Sequence, residues 1–174
     1  MKIFIASSNE LEHERLFLAG EVCWFLNGLL CDRGQDVRVD PVKWEFLDSA
    51  MGVDHKQVEY NRALLGCDAA VVLFWRRFGQ STESEFRTAL ESLRSGGSVR
   101  RLSVLFKETD EAPSPELAAF RRQLRVSCDI ELAAFATDAR LRERFLAVVF
   151  DRLRDERPGF TVPDGPTLAR YRLG

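Results

Sequence analysis

The chain predicts an α/β domain built on a mainly parallel sheet of about five strands, with helices on both faces. Three observations carry that expectation. A continuous apolar, β-branched-rich run from Ala69 to Phe74 (AAVVLF) has the signature of a strand covered on both sides. Short apolar runs alternate with stretches of helical periodicity along most of the chain. Glycine, proline or small polar residues mark the changes between them.

Lys2 to Ala6 (KIFIA) predicts the first strand, ending in Ser7, Ser8 and Asn9. Such residues serve as helix N-caps, and they also leave hydroxyls and backbone N–H groups for a ligand; both roles can hold at once. Glu10 to Arg33 predicts a helix with Leu11, Leu18, Val22, Phe25, Leu26 and Leu29 as its apolar set and Gly34 as its stop. The charged opening ELEHER predicts that this end faces water. Asp36 to Val39 reads as a second strand closed by Asp40-Pro41. The stretch that follows holds Trp44, Phe46 and Met51 without clean periodicity, and an aromatic loop of this kind either packs over the core or covers a site. Asp54 to Leu65 predicts a helix with Val58, Asn61, Arg62 and Leu65 at helical spacing, ended by Gly66.

After the central strand, Arg76 to Ser81 reads as a loop broken at Gly79. A helix follows, with Phe86, Ala89, Leu90 and Leu93 as its core-facing stripe. SGGS at 95–98 is a turn, and Val99 to Phe106 a further strand. Ser114-Pro115-Glu116 starts a short helix reaching Leu124. A weaker edge strand lies within Val126 to Phe135. Asp138 to Arg157 is amphipathic, with Leu141, Phe145, Val148, Val149 and Leu153 on one face, and Pro158 closes it. The domain therefore spans 1–157, and 158–174 reads as a tail or a linker to a further domain. Right-handed crossovers would arrange these elements as a flavodoxin-like three-layer sandwich with strand order 2-1-3-4-5.

Totals narrow the function. With 174 residues, 45% hydrophobic and 30% charged, the chain is one globular domain of ordinary size. A formal net charge of -2 and a pI near 5.8 argue against direct nucleic-acid binding. No apolar run approaches the roughly 20 residues that cross a bilayer, and the N-terminus lacks a signal peptide's apolar core, so a cytoplasmic protein away from the membrane is expected. Cys23, Cys31, Cys67 and Cys128 form no CxxC pair and read as free buried thiols; His13 and His55 complete no metal site, so metal chemistry is not expected.

Chemistry, if present, belongs at the carboxyl end of the central strand, where open α/β sheets bind ligands. Glu85 lies there, one turn before Ala89. Two readings compete. Thr82-Glu83-Ser84-Glu85 is a capping box in which Glu85 satisfies the Thr82 N–H; alternatively Glu85 is a working carboxylate in the helix's first turn, where the macrodipole favours its ionised form. Glu83 falls on another side of the helix and does not pair with it. Arg76 and Arg77 either steer a pyrophosphate or are solvated loop charges. Trp75 and Phe78 either stack on a ligand ring or pack the loop; Tyr60 and Asn61 are weaker candidates.

The segments KIFIASS, CDAAVVLFW and SEFRTAL resemble a Toll/interleukin-1-receptor (TIR) domain. The resemblance is to the divergent TIR-like domains at the N-terminus of bacterial antiphage-defence proteins, where a segment similar to EYNRALLGCDAAVVLFWRRFGQSTESEF recurs, and it covers about residues 2–107. It implies an NAD+ nucleosidase, with NAD+ as substrate and no separate cofactor. Glu85 takes the family's catalytic position, Ser7 and Ser8 match its first-strand loop, and Trp44 lies in the loop that often closes over the pocket. Asn9, Trp75, Arg77, Phe78 and Gly79 complete the expected substrate-binding set. Self-association into oligomers or filaments, and a C-terminal sensor domain in a longer protein, are further implications. The loop and helix around 41–60 are longer and more acidic than in animal TIR domains. Nucleoside 2-deoxyribosyltransferases share the fold and a similarly placed glutamate, and a non-catalytic self-association module is the third reading.

A lone carboxylate is chemically adequate for NAD+. Its cleavage passes through an oxocarbenium-like state, as in glycoside hydrolysis. Nicotinamide leaves a cationic pyridinium as a neutral molecule and needs no general acid, so one carboxylate that stabilises or attacks the cation suffices.

Overall fold

Strands β1 (Lys2–Ser7), β2 (Asp40–Val42), β3 (Ala69–Phe74), β4 (Arg101–Lys107) and β5 (Glu131–Phe135) form one all-parallel sheet in the order β2-β1-β3-β4-β5. This is the expected flavodoxin-like order. The computed structural model describes residues 1–43, 53–126, 130–165 and 168, with 53–56 by backbone alone. Among the described residues six α-helices connect and follow the strands: α1 (Glu12–Phe17), α2 (Cys23–Asp32), α3 (Val53–Leu64), α4 (Gln80–Arg94), α5 (Pro115–Leu124) and α6 (Asp138–Glu156).

Strand alternation sorts the core into two slabs. Ile3 and Ile5 of β1, with Ala69, Val71 and Leu73 of β3, face α2 and α6 through Phe25, Leu26, Leu29, Phe145 and Val149. Phe4 and Ala6, with Ala70, Val72 and Phe74, face α3, α4 and α5 through Leu64, Phe86, Ala89, Leu117 and Phe120. Every residue of β3 is buried, and each larger apolar side chain there is worth roughly 1.5–3 kcal/mol of transfer. The layers of α1/α2/α6 and α3/α4/α5 are thus separated by the sheet except beyond its ends.

Several local expectations hold. Ser114 caps α5 by accepting from the Leu117 N–H at 3.2 Å, with Pro115 at the first helical position. Gly34 ends α2 with φ +64, and its N–H reaches the Cys31 carbonyl at 2.9 Å. β5 lies at the sheet edge.

Others need correction. The second strand is at Asp40–Val42, not 36–39. Asn27 of α2 clamps Val39 instead, donating from Nδ2 to its carbonyl at 2.9 Å and accepting its N–H at 2.7 Å. Pro41 is tolerated because β2 is an edge strand. α3 turns Leu64 inward and leaves Val58 and Leu65 at 62% and 48% exposure, so its buried face is one residue away from the expected one. The first long helix is a composite: a 3₁₀ turn (Asn9–Leu11), α1, a π segment (Leu18–Val22) and α2. Its charged opening is not wholly in water, because Glu14 and Arg15 are buried. Cys23 and Cys67 are buried free thiols, whereas Cys31 is exposed; Cys128 lies outside the described residues. Burial pushes both buried thiols up to about 12, which makes them inert.

Candidate active site

Helix α4 begins at Gln80, with Gly79 as its N-cap in extended conformation and no side-chain cap. Thr82 is therefore inside the first turn, and the capping box does not form. Glu85 falls in the second turn, so the helix dipole is not what governs it. The first-turn acid is Glu83, whose carboxylate takes Arg87 Nε and Nη2 at 2.8 and 2.5 Å on the solvent side. Glu85 turns inward beside Phe86 and Ala89, with 4% exposure. Burial pushes its carboxyl from 4.5 up to about 8, with the Arg15 guanidinium pulling the other way. Among the described residues no hydrogen bond holds the Glu85 carboxyl.

Arg15 arrives from the opposite helical layer. It is the largest fully buried side chain among the described residues. Its Nη1 donates to the Ser7 hydroxyl, and to the carbonyls of Ser7 and Ser8 at 3.3 and 3.5 Å. Ser7 is the last residue of β1, so the guanidinium lies over the carboxyl edge of the sheet. The start of α4 meets the same place: a Cβ on Gly79 would stand 3.8 Å from Ser8 Cβ. The end of β1 and the β3–α4 loop are packed together there.

A second group of charges fixes that loop. Glu10 Oε1 accepts the backbone N–H of Arg76 and of Arg77 at 3.1 and 3.0 Å. The Arg76 side chain pairs with Glu10 at 3.6 Å and Glu111 at 2.6 Å. Two cations lie over the Trp75 ring, Arg76 at 3.9 Å and Lys107 at 4.4 Å, and the indole N–H donates to Thr109 Oγ1 at 3.0 Å. Lys107, at the end of β4, pairs with the buried Glu14 at 2.5 Å. Phe78 packs into the core against Phe74 and Phe120, with ring centroids 5.7 and 4.5 Å away.

Of the residues singled out in the sequence, Ser7, Ser8, Gly79 and Glu85 come together at this edge. Trp75 and Phe78 are adjacent but engaged in packing. Asn9 and Arg77 are exposed nearby, and Trp44 lies outside the described residues. Asn61 accepts from Gln57 within α3, while Tyr60 is half-buried. Glu10, Glu14, Arg15 and Lys107 were missed. The signal for Arg15 was present: with Leu11 and Leu18 it forms an i, i+4, i+7 stripe that places a cation in an apolar row.

A groove of about 1210 Å³ lies elsewhere, between α2 and the approach to β2, and includes Trp24, Asn27, Cys31 and Val39. None of the described carboxyls lining it is buried. Among the described residues no group of three or more His, Cys, Asp and Glu could hold a metal ion. No helix among them is long and apolar enough to cross a membrane.

Fold and site together define an open parallel α/β domain with a buried, electrostatically tuned carboxyl at the carboxyl edge of its sheet. No protein-family model matches the chain, and no curated protein matches it. Among solved structures, it is similar to an oxidoreductase from Corynebacterium diphtheriae, at 12% identity over 87% of this chain and 93% of that one, with a TM-score of 0.45. A likeness that loose carries no argument about chemistry.

Proposed function

We propose that the chain is an NAD+ nucleosidase that breaks the bond between nicotinamide and ribose, with Glu85 as the catalytic carboxylate. The observation that supports it most is the burial of Glu85 at the ligand-binding edge without the capping role that would otherwise explain it. A buried carboxyl near neutrality suits a cationic substrate: the pyridinium of NAD+ brings the charge that ionises the group, and the resulting carboxylate stabilises or attacks the oxocarbenium centre. Ser7, Ser8 and Gly79 would line the approach, with Arg77 placed to meet the pyrophosphate. In this reading the chain is a cytoplasmic antiphage-defence effector, active after self-association and joined to a sensor domain in a longer protein. The test is nicotinamide release from NAD+ at high protein concentration beside Glu85→Gln. Release by the wild type alone is expected, with a specific rate that climbs with concentration; equal release by both proteins would overturn the assignment.

One observation favours a second reading. With its carboxyl pushed up to about 8, Glu85 is largely protonated at pH 7, which suits donation to a neutral base that must be protonated to leave. That is the chemistry of a nucleoside 2-deoxyribosyltransferase-like enzyme. Base exchange on a deoxynucleoside with NAD+ untouched would select it.

A further inference from the structure

We propose that Thr82 is a substrate-binding residue of this site: its buried hydroxyl, one helical turn before Glu85, takes a hydroxyl of the pentose ring whose glycosidic bond faces that carboxyl. The identity of the ligand rests on the reading above; the geometry of the hydroxyl does not.

Helix α4 holds its inward hydroxyls in two different conditions. Thr88 turns its Oγ1 back to the Ser84 carbonyl at 2.9 Å, and Ser92 Oγ accepts the Val99 N–H at 3.2 Å. Those two belong to the fold. Thr82 is 3% exposed, and among the described residues its side chain has no hydrogen-bond partner. Glu85, three residues on and equally buried, shares that condition. A buried polar group left unpaired costs folding free energy. Two of them on adjacent turns of one helix, at the edge where open α/β sheets bind ligands, are accounted for when a ligand completes both.

The surroundings set the kind of ligand. Residues three apart on a helix stand about 5–6 Å apart at Cβ, a spacing that a furanose ring bridges. Gly79 lies beside the hydroxyl. A Cβ built on it would stand 3.7 Å from Thr82 Oγ1 and 3.8 Å from Ser8 Cβ, so the glycine leaves the hydroxyl uncovered on that side. Gly79 and Ser8 are both half-buried, which makes their side the way in. A hydroxyl both donates and accepts, so it complements another hydroxyl; it offers no counter-charge to a pyrophosphate or a pyridinium.

The experiment pairs steady-state nicotinamide release with NMR of threonine methyl groups, the Thr82 signal being assigned by its loss in Thr82→Ser. Thr82→Val exchanges the hydroxyl for a methyl of similar shape, and Gly79→Ala fills the space beside it at ordinary contact distance. Both variants should keep the wild-type urea midpoint or exceed it, since neither removes a hydrogen bond of the fold. In Thr82→Val, kcat/KM for NAD+ should fall about tenfold, the effect of one lost hydrogen bond to substrate. Gly79→Ala should lower it too, whereas Thr82→Ser, which keeps the hydroxyl, should stay near the wild type. NAD+ and 2′-deoxyadenosine are titrated separately into Glu85→Gln, so that substrate persists, and NAD+ should move the Thr82 methyl signal. Equal kcat/KM in the wild type and Thr82→Val overturns this inference and leaves the NAD+ reading standing. A signal moved by 2′-deoxyadenosine and not by NAD+ sinks the NAD+ reading and keeps the inference. If no nicotinamide is released, the titration alone decides: a signal that neither compound moves overturns the inference. So does a Thr82→Val chain that unfolds at lower urea than the wild type, because the hydroxyl then serves the fold.

Discussion

Strand β4 carries a cation at each end, and the two ends treat it differently. At the amino end Arg101 meets Asp151 at 2.6 Å and Asp155 at 3.8 Å, all partly open to water. At the carboxyl end Lys107 meets Glu14, whose side chain is 4% exposed and which is next in sequence to the fully buried Arg15. Water shares the solvation at one end and is largely excluded at the other. Enclosing several ionisable groups costs folding free energy, and a domain with ample apolar core has no structural need of it. The contrast supports the carboxyl edge as the site of the activity proposed above.

The contrast can be broken most sharply at Glu85. Glu85→Gln should cut nicotinamide release by about 10²–10³-fold or more, measured at saturating NAD+, while the circular dichroism spectrum stays that of the wild type. The same residue predicts a pH dependence of stability. In the folded chain Glu85 stays protonated up to about 8, whereas unfolded it ionises near 4.5. The folded state therefore binds more protons between those values, and stability must fall as pH rises through that window, by at most about 1.4 kcal/mol per pH unit. Urea midpoints at pH 5, 6, 7 and 8 should decline in the wild type more steeply than in Glu85→Gln; parallel curves would contradict the burial effect. Glu14→Gln, which strands the Lys107 ammonium against Trp75, should cost about 2 kcal/mol in urea unfolding. Asp151→Asn, at the other end of the strand, should cost less than about 1 kcal/mol and lose even that in high salt. Equal costs for the last two would erase the distinction between the ends.

The sheet was legible because its central strand is apolar throughout and its connections carry strong punctuation, such as Ser114-Pro115 and Gly34. Glu85 was legible as a residue but not as an environment. Its TESE context imitates a capping box, and only the start of α4 at Gln80 removes that explanation. The charged residues of ELEHER were misread because hydrophobicity assigns charges to water, while the pairing that permits their burial joins residues far apart in sequence, such as Glu14 and Lys107. The second strand was misplaced for a related reason: Val39 looks like a strand residue, yet a side chain of α2 takes its backbone hydrogen bonds.

The π segment at Leu18–Val22 bears on this arrangement in its own way. Its hydrogen bonds reach one residue further along the chain than an α-helix's, and so it works as a phase shifter between two anchors. Arg15 before it docks on Ser7, and Asn27 after it docks on Val39. Deleting Gly20, which is exposed, would restore a regular screw and rotate one anchor out of reach. The segment thus sets the phase between the two anchors, while its Leu18 and Val22 are buried in the core.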